Sequence, residues 1–461
     1  MESLKKYALH VPQILLPAKG TDLESWAVVA CDQYTQDKDY WQRAEKIAQG
    51  KPSALHIILP EIYLNTLSQV EKKRRTDDIK RTMADYLANG VFAPPLHAFI
   101  YTERKTSYGR LRKGLVAAID LEAYDWRPEQ KAKIRATEAT ILERIPPRVA
   151  IREGAPLEAP HIMLLVNDPA RRFIEQTGEI VKQSGEKPVY DTDLMMEGGR
   201  ITGRAVSGGK AMDNIVESLG EIEQANKVAD GSVFMFAVGD GNHSLATAKT
   251  VWEHLKKNAG APADKSGHTA VPDRLKNHPA RYALVEIVNL YDEGLTFEPI
   301  HRVLFNTDAA ELIRFVHSKL GGTLTPCKDG AELARTVEQS PSAFGFASLQ
   351  GGFTCLNIPT DALAVSVFQP VLDEFIRTKT AGAIKASAGA ASAEKMIDFI
   401  HGADEVFRLA KQKDTVSILF PPIAKDSFFA TVEKYGSLPR KSFSMGEASE
   451  KRFYLECRKL V

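Results

Sequence analysis

The stretch Gly239-Asp240-Gly241-Asn242-His243-Ser244 places a carboxylate, a carboxamide, an imidazole and a hydroxyl within six residues. It follows the apolar run Val233 to Val238 and leads into the helix-forming run Leu245 to Ala248, so the spacing predicts a turn from strand to helix. Such a turn leaves backbone N–H groups exposed beside the positive end of a helix, which suits an anion. Gly239 and Gly241 would let the backbone come close to a ligand. Asp240 has the chemistry to bind a metal cation or take a proton, and His243 to act as acid, base or hydrogen-bond donor. The competing reading is that Asp240 and Asn242 cap the helix and His243 packs on its first turn.

A second group runs from Arg135 to Arg152 and sets Glu138, Glu143, Arg144, Arg148 and Arg152 around Pro146-Pro147. Guanidinium groups beside carboxylates suit a phosphorylated or carboxylated ligand, because the planar fork binds both with paired hydrogen bonds. A surface ladder of ion pairs gives the same pattern. Two shorter pieces read first as turns: Asp32-Gln33-Tyr34 after the apolar run Trp26 to Ala30, and Glu298-Pro299-Ile300-His301-Arg302. The segment Gly198 to Lys210 has the composition of a phosphate loop but not its fixed spacing, so it is read as a hairpin or loop.

The elements that must hold these residues are short apolar runs alternating with amphipathic stretches, the pattern of a mixed α/β layer structure. Strands are expected at Leu55 to Leu59, Leu96 to Thr102, Leu115 to Leu121, His161 to Val166, Val233 to Val238 and Tyr282 to Asn289. A helix is expected from Thr76 to Asn89, with Ile79, Met83, Tyr86 and Leu87 on one face and Gly90 after its end. A chain of 461 residues exceeds one ordinary core. The expected division is an α/β ligand or catalytic domain over residues 1–300 and a smaller C-terminal α+β domain over 301–461, with the site between them.

Lys and Arg number 60 against 59 acidic residues, and this balance offers no global field for nucleic acid or an anionic membrane. The one basic run, Lys72 to Arg75, is followed by Asp77 and Asp78 and reads as a solvated helix face. Four scattered cysteines form no metal or redox spacing, and no run of about 18 apolar residues occurs, which points to a reduced, cytoplasmic protein.

Seven pieces together resemble the prokaryotic family labelled domain of unknown function 1015. They are Val29 to Tyr34, Ile57 to Glu61, Tyr108 to Leu115, Thr137 to Thr140, Gly239 to His243, Pro299 to Arg302 and Leu438 to Ser442. The family's turn, aspartate-glycine-histidine-histidine-arginine between strand and helix, is similar to that of the ParB and sulfiredoxin superfamily. That resemblance implies a mixed-sheet core and a turn that holds nucleotide phosphates or substrate. In this chain Asn242 stands for the first histidine and Ser244 for the arginine, so the guanidinium near phosphate would have to come from Arg144, Arg148 or Arg152.

The resemblance implies nucleotide-dependent phosphotransfer to a hydroxylated metabolite such as a hydroxy amino acid. ATP or ADP with Mg2+ would be the cofactor, and a small-molecule or nucleotide ligand the partner; a homodimer is compatible with it. Asp240, His243 and Glu138 would be the catalytic residues, with Glu138 as base and Asp240 on the metal. Gly239, Gly241, Asn242, Arg144, Arg148, Arg152, His301 and Arg302 would hold phosphate or substrate. The alternatives are a hydrolase of a small phosphorylated metabolite and a metabolite-binding protein without turnover.

Overall fold

The computed structural model describes residues 2–35, 37–64, 66–127, 131–140, 145–228, 230–262, 269–386, 396–439 and 441–461. Arg144 and Glu143 therefore lie outside the described residues. The chain divides into two compact units, the first comprising Met1–Leu295 with Gly446–Val461 and the second Thr296–Met445. The C-terminal segment thus returns to the first unit.

The first unit is built on a ten-stranded sheet. Its strands are β1 (Leu9–His10), β2 (Phe99–Lys105), β3 (Leu111–Asp120), β4 (Tyr124–Asp125), β5 (Ile134–Ala136), β6 (Met163–Val166), β7 (Tyr190–Asp193), β8 (Arg200–Val206), β9 (Phe236–Asp240) and β10 (Tyr282–Asn289). They lie in the order β7-β8-β2-β3-β10-β6-β9-β5-β4, with β1 on β3. The β10–β6 and β9–β5 pairs are parallel, whereas β6–β9 is antiparallel. The sheet is mixed, as the alternation of elements predicts.

Its two faces bury alternate residues of the same strands, which is the period of two that a doubly covered strand imposes. Phe99, Leu115, Ala117, Ala283 and Val285 join one core with Ile215 and Trp252. Ile100, Val116 and Leu284 join the other with Trp41, Met83 and Phe453. The helices that matter below are α1 (Lys38–Ala48), α2 (Gln69–Ala88), α3 (Ile145–Arg152), α4 (Gly209–Ala225) and α5 (Asn242–Asn258). Helix α5 buries Leu245, Ala248 and Trp252 along one stripe.

Helix α2 begins seven residues before the expected start at Thr76, because Ser68 and Glu71 form a reciprocal capping box ahead of the basic run. The Gly198 to Lys210 segment supplies β8, which forms a hairpin with β7, and the start of α4. The apolar run at Leu55 to Leu59 is not a strand. Ala54–Ile57 form a 3-10 turn whose cap, Ser53, accepts from the Leu55 N–H, and the Ser53 N–H donates to the Tyr86 hydroxyl. Pro52 and Pro60 bound the segment and remove the donors a sheet ladder needs, so its side chains reach the core from a turn.

The second unit has a six-stranded sheet whose neighbouring strands all run antiparallel, in the order Thr323–Cys327, Gly352–Asn357, Ala343–Ser348, Thr415–Leu419, His301–Phe305 and Ile397–Ile400. Among the described residues no helix is long and apolar enough to cross a membrane.

One buried acid gives the first unit a pH dependence. Glu456 is fully buried and accepts a hydrogen bond from the Tyr190 hydroxyl at 2.7 Å. Burial pushes its carboxyl up to about 7, assisted by the charge of Glu286 and opposed by the Tyr190 hydrogen bond. A carboxyl raised on folding binds more protons folded than unfolded, so stability falls as pH climbs from about 4 to 7. Glu456→Gln removes that loss. The variant is expected to gain up to about 3 kcal/mol over the parent at pH 8 and little at pH 4. Chemical denaturation at both pH values measures it, and equal gains at both would refute the assignment.

Candidate functional site

Strand β9 carries one residue more than its antiparallel neighbour: Val238 faces Leu164 and Asp240 faces Met163, so Gly239 is a bulge. A bulge at a strand end re-aims the side chain after it, here Asp240. Gly241 then takes φ +81° as the N-cap of α5, and a Cβ there would stand 3.1 Å from Ile162 Cα. The two glycines serve the bend and the close passage over Ile162. The N-cap Gly241 has no side chain to cap α5, and among the described residues the Asn242 carboxamide oxygen is buried without a hydrogen-bond partner. The capping role open to Asp240 and Asn242 is thus not taken.

What Asp240 meets instead is Lys451, whose Nζ stands 3.8 Å from Oδ1, with the two side chains 19% and 17% exposed. The C-terminal segment delivers this lysine by pairing with residues 28–30: the Ala30 N–H donates to Lys451 O and the Phe453 N–H to Val28 O. That pairing also sets Lys451 beside Asp32. Burial works against the charged lysine, but Asp240, Asp32 and Glu138 outweigh it and raise its pKa above the ordinary value. Glu138 follows β5, the parallel neighbour of β9, and Thr137 Oγ1 donates to Val238 O at 2.5 Å. The C-terminal ends of two adjacent parallel strands therefore present Glu138 and Asp240 together, the position at which α/β sheets hold ligands.

Asp32 lies on the other side of the lysine. Burial pushes its carboxyl up, yet His161, a hydrogen bond from Gln33 Nε2, Lys451 and Arg148 together hold it below the usual range. It is ionised at neutral pH. His161 is 8% exposed and packs edge-on against Phe453 at 4.8 Å between ring centroids. Its Nε2 is 3.2 Å from Ser244 Oγ on the first turn of α5.

Of these groups His161 and Ser244 border a cavity of about 130 Å³, whereas Asp32, Glu138, Asp240 and Lys451 are not among its lining residues. Its walls are largely apolar, with Ile57, Leu64, Met83, Ile151, Ile162 and Phe453 among them. Its polar lining includes Ser244, His161, Arg148 and Arg152, and Arg148 also borders a neighbouring groove of about 760 Å³ with Lys72, Lys73 and Lys80 on α2. Cys31 touches the cavity too, but burial first, with the charge of Asp32, pushes its thiol up to about 12, so it is no nucleophile.

The residues expected from the sequence are thus divided. Asp240 and Glu138 converge on Lys451, and Arg148 and Arg152 reach the cavity wall. Both arginines carry carboxylates of their own, Glu61 for Arg148 and Glu158 for Arg152. His243 is half-buried and is not among the cavity's lining residues, where Ser244 and Thr247 stand instead. His301 and Arg302 belong to the second unit. There Arg302 lies between the Phe399 and Phe420 rings and donates to Gln369, and His301 Nδ1 accepts from the Phe420 N–H. Burial first, then Arg302, pushes His301 down to about 4, so it is neutral and committed to its own core.

In the sequence Asp32 reads as a turn residue, and no motif there singles out His161 or Lys451. Asp32 had a local signal, a carboxylate directly after a buried apolar run. Lys451 had none, being one lysine in a charged C-terminal stretch. Among the described residues no three His, Cys, Asp or Glu are grouped to hold a metal ion. The cation that Asp240 faces is the ammonium.

A family profile described as "Protein of unknown function (DUF1015)" matches residues 15–375. No curated protein matches the chain. Three solved structures are similar over 72% of this chain. They are a free serine kinase in complex with AMP (13% identity, TM-score 0.34, 88% of that chain), a conserved hypothetical protein from Pyrococcus furiosus (11%, 0.33, 90%) and SbnI with C-terminal truncation from Staphylococcus aureus (9%, 0.31, 82%).

Proposed function

Taking as premise that the chain belongs to the DUF1015 family, we propose that it is a phosphotransferase that moves a phosphoryl group from a nucleotide to a small hydroxylated metabolite. The observation that carries this reading is the convergence of Asp240, Asp32 and Glu138 on one half-buried ammonium, beside the glycine-capped start of a 17-residue helix. Phosphoryl transfer asks a protein mainly for positioning and for offsetting charge on the phosphoryl oxygens. The first amides of α5 bind those oxygens, with the helix dipole adding to the attraction. Lys451 offsets the charge that develops on them, and Asp240 fixes the ammonium. Arg148, at the mouth shared by cavity and groove, meets the remaining phosphates, and Lys72, Lys73 and Lys80 line their approach. Glu138 takes the proton of the acceptor hydroxyl.

Among the described residues none are grouped as a resident metal site. A magnesium ion arriving on the nucleotide would need only one or two protein carboxylates; Asp240 would hold it, and it would supply neutralisation of phosphate charge. This use of the bend after β9 is what the resemblance of the sequence turn to the ParB and sulfiredoxin superfamily would imply.

The test is transfer of label from γ-labelled nucleoside triphosphates, with magnesium, into a pool of hydroxy amino acids and related hydroxylated metabolites. Labelled product is expected, and Asp240→Asn is expected to lower kcat/KM by about 100-fold to 1000-fold. Absence of transfer from every nucleotide, or an unchanged rate in Asp240→Asn, would overturn the reading. Inorganic phosphate released from a phosphorylated metabolite without any nucleotide would make the protein a hydrolase instead.

A further inference from the structure

Resting on that phosphotransferase reading, we propose that Ser244 is a covalent way-station: its hydroxyl accepts the phosphoryl group from the nucleotide and passes it to the acceptor, with His161 moving the proton. The hydroxyl groups on this helix do not behave alike. Thr247 and Thr250 turn back to the carbonyls of His243 and Ala246, four residues earlier, the usual way a helical hydroxyl satisfies itself. Ser244 instead meets His161 Nε2 at 3.2 Å, on the wall of the cavity. It sits on the first turn of α5, where the uncapped helix end favours an anion.

The partner is arranged as a general base requires. His161 is nearly buried and held edge-on by Phe453, so its ring cannot turn freely away. The tautomer with its proton on Nδ1 leaves Nε2 to accept from the hydroxyl. Asp32, ionised and close enough for its charge to act on the ring, stabilises the imidazolium that forms when the proton arrives. Arg148 lines the same cavity as Ser244, and it acts with Lys451 on the charge of Asp32, so both cations are placed to offset the negative charge of a phosphorylated serine. The cavity walls around Ser244 are largely apolar.

The steps balance. Ser244 Oγ bonds to the terminal phosphorus, its proton goes to His161 Nε2, and the bridging P–O bond breaks with its electron pair leaving on the nucleoside diphosphate. In the second half the acceptor oxygen bonds to the same phosphorus and the Oγ–P bond breaks. His161 returns its proton to Oγ, and the proton of the acceptor hydroxyl goes to Glu138.

The experiment is to mix the full-length protein with γ-labelled ATP and magnesium without acceptor, quench in acid and map the label by peptide mass spectrometry. One phosphoryl group on Ser244 is expected, discharged on adding the hydroxylated acceptors at a rate no slower than steady turnover. Ser244→Ala is expected to lose the label and at least about 100-fold in transfer while keeping its melting temperature, and His161→Gln to slow labelling by a similar factor. Transfer that persists in Ser244→Ala, or a label on Ser244 that acceptors do not discharge, overturns this inference and leaves the phosphotransferase reading standing. A folded wild-type protein that transfers nothing overturns both. Because the mapped site is read on the unmodified chain, the result does not depend on how any variant folds.

Discussion

Lys451→Met will cost stability and activity together, and the two losses will come apart in a double variant. The lysine is the shared counter-charge of Asp240, Asp32 and Glu138. Removing one partner of a half-buried ionic group leaves the others uncompensated, at a cost of about 3 kcal/mol. The remaining carboxylates respond by holding a proton, so their pKa values rise in the folded variant. A carboxyl raised on folding loses stability as pH increases through its range. The deficit of Lys451→Met is therefore expected to widen between about pH 4 and pH 8. Phosphoryl transfer is expected to fall by about 1000-fold, since the ammonium offsets charge that develops in the transition state. Adding Asp240→Asn removes one of the stranded charges and is expected to restore stability in part and activity not at all. Melting curves across pH, with the transfer assay alongside, check this. A variant that melts like the parent at every pH would remove Lys451 from the centre of the site.

Glu158→Ala is the largest purely structural loss expected in the first unit. The Glu158 side chain is 1% exposed, and its carboxylate accepts from Arg152 at 2.6 Å and from Arg458 at 3.1 and 2.7 Å. It also accepts from the Leu284 N–H of β10, so it fastens the C-terminal segment and the end of α3 to the sheet. Arg458, 7% exposed, would keep only its bonds to the Pro279 and Tyr282 carbonyls. The expected cost is about 3–5 kcal/mol at pH 7, with a melting temperature lower by roughly 10 °C.

Burial pushes Glu158 up, but the two arginines outweigh it and hold its pKa below the ordinary value. Its contribution is therefore present above about pH 4 and is lost as pH falls through the lowered pKa, so the gap between parent and variant should close in acid. Arg458→Met added to Glu158→Ala is expected to recover part of the loss, because it removes the stranded guanidinium. An alanine variant as stable as the parent at pH 7 would show the cluster to be dispensable.

Both predictions turn on the last sixteen residues, and these were the least legible part of the chain. Read alone, Lys451, Phe453 and Arg458 belong to a charged tail with short apolar pieces. No period or motif links them to Ala30 or Glu158, hundreds of positions earlier. The same holds for the groove on α2: Lys72 and Lys73 read as a solvated face, and only the position of α3 beside them makes them a wall. The run at Leu55 to Leu59 misled for a related reason. Its apolar content showed that it is buried, but burial from a capped turn and burial from a strand have the same composition.

What the sequence determined by itself is whatever depends on neighbours a few residues apart. Tyr282 to Asn289 is a strand with those ends, α2 carries its predicted stripe, and Gly239 to Ser244 bends from strand into helix through a bulge and the positive φ that Gly241 tolerates. What the tertiary structure decided is which charges share a space. Asp32, His161, Asp240 and Lys451 come from four separate stretches, and attraction between charges acts through distance in space, leaving no trace in their spacing along the chain.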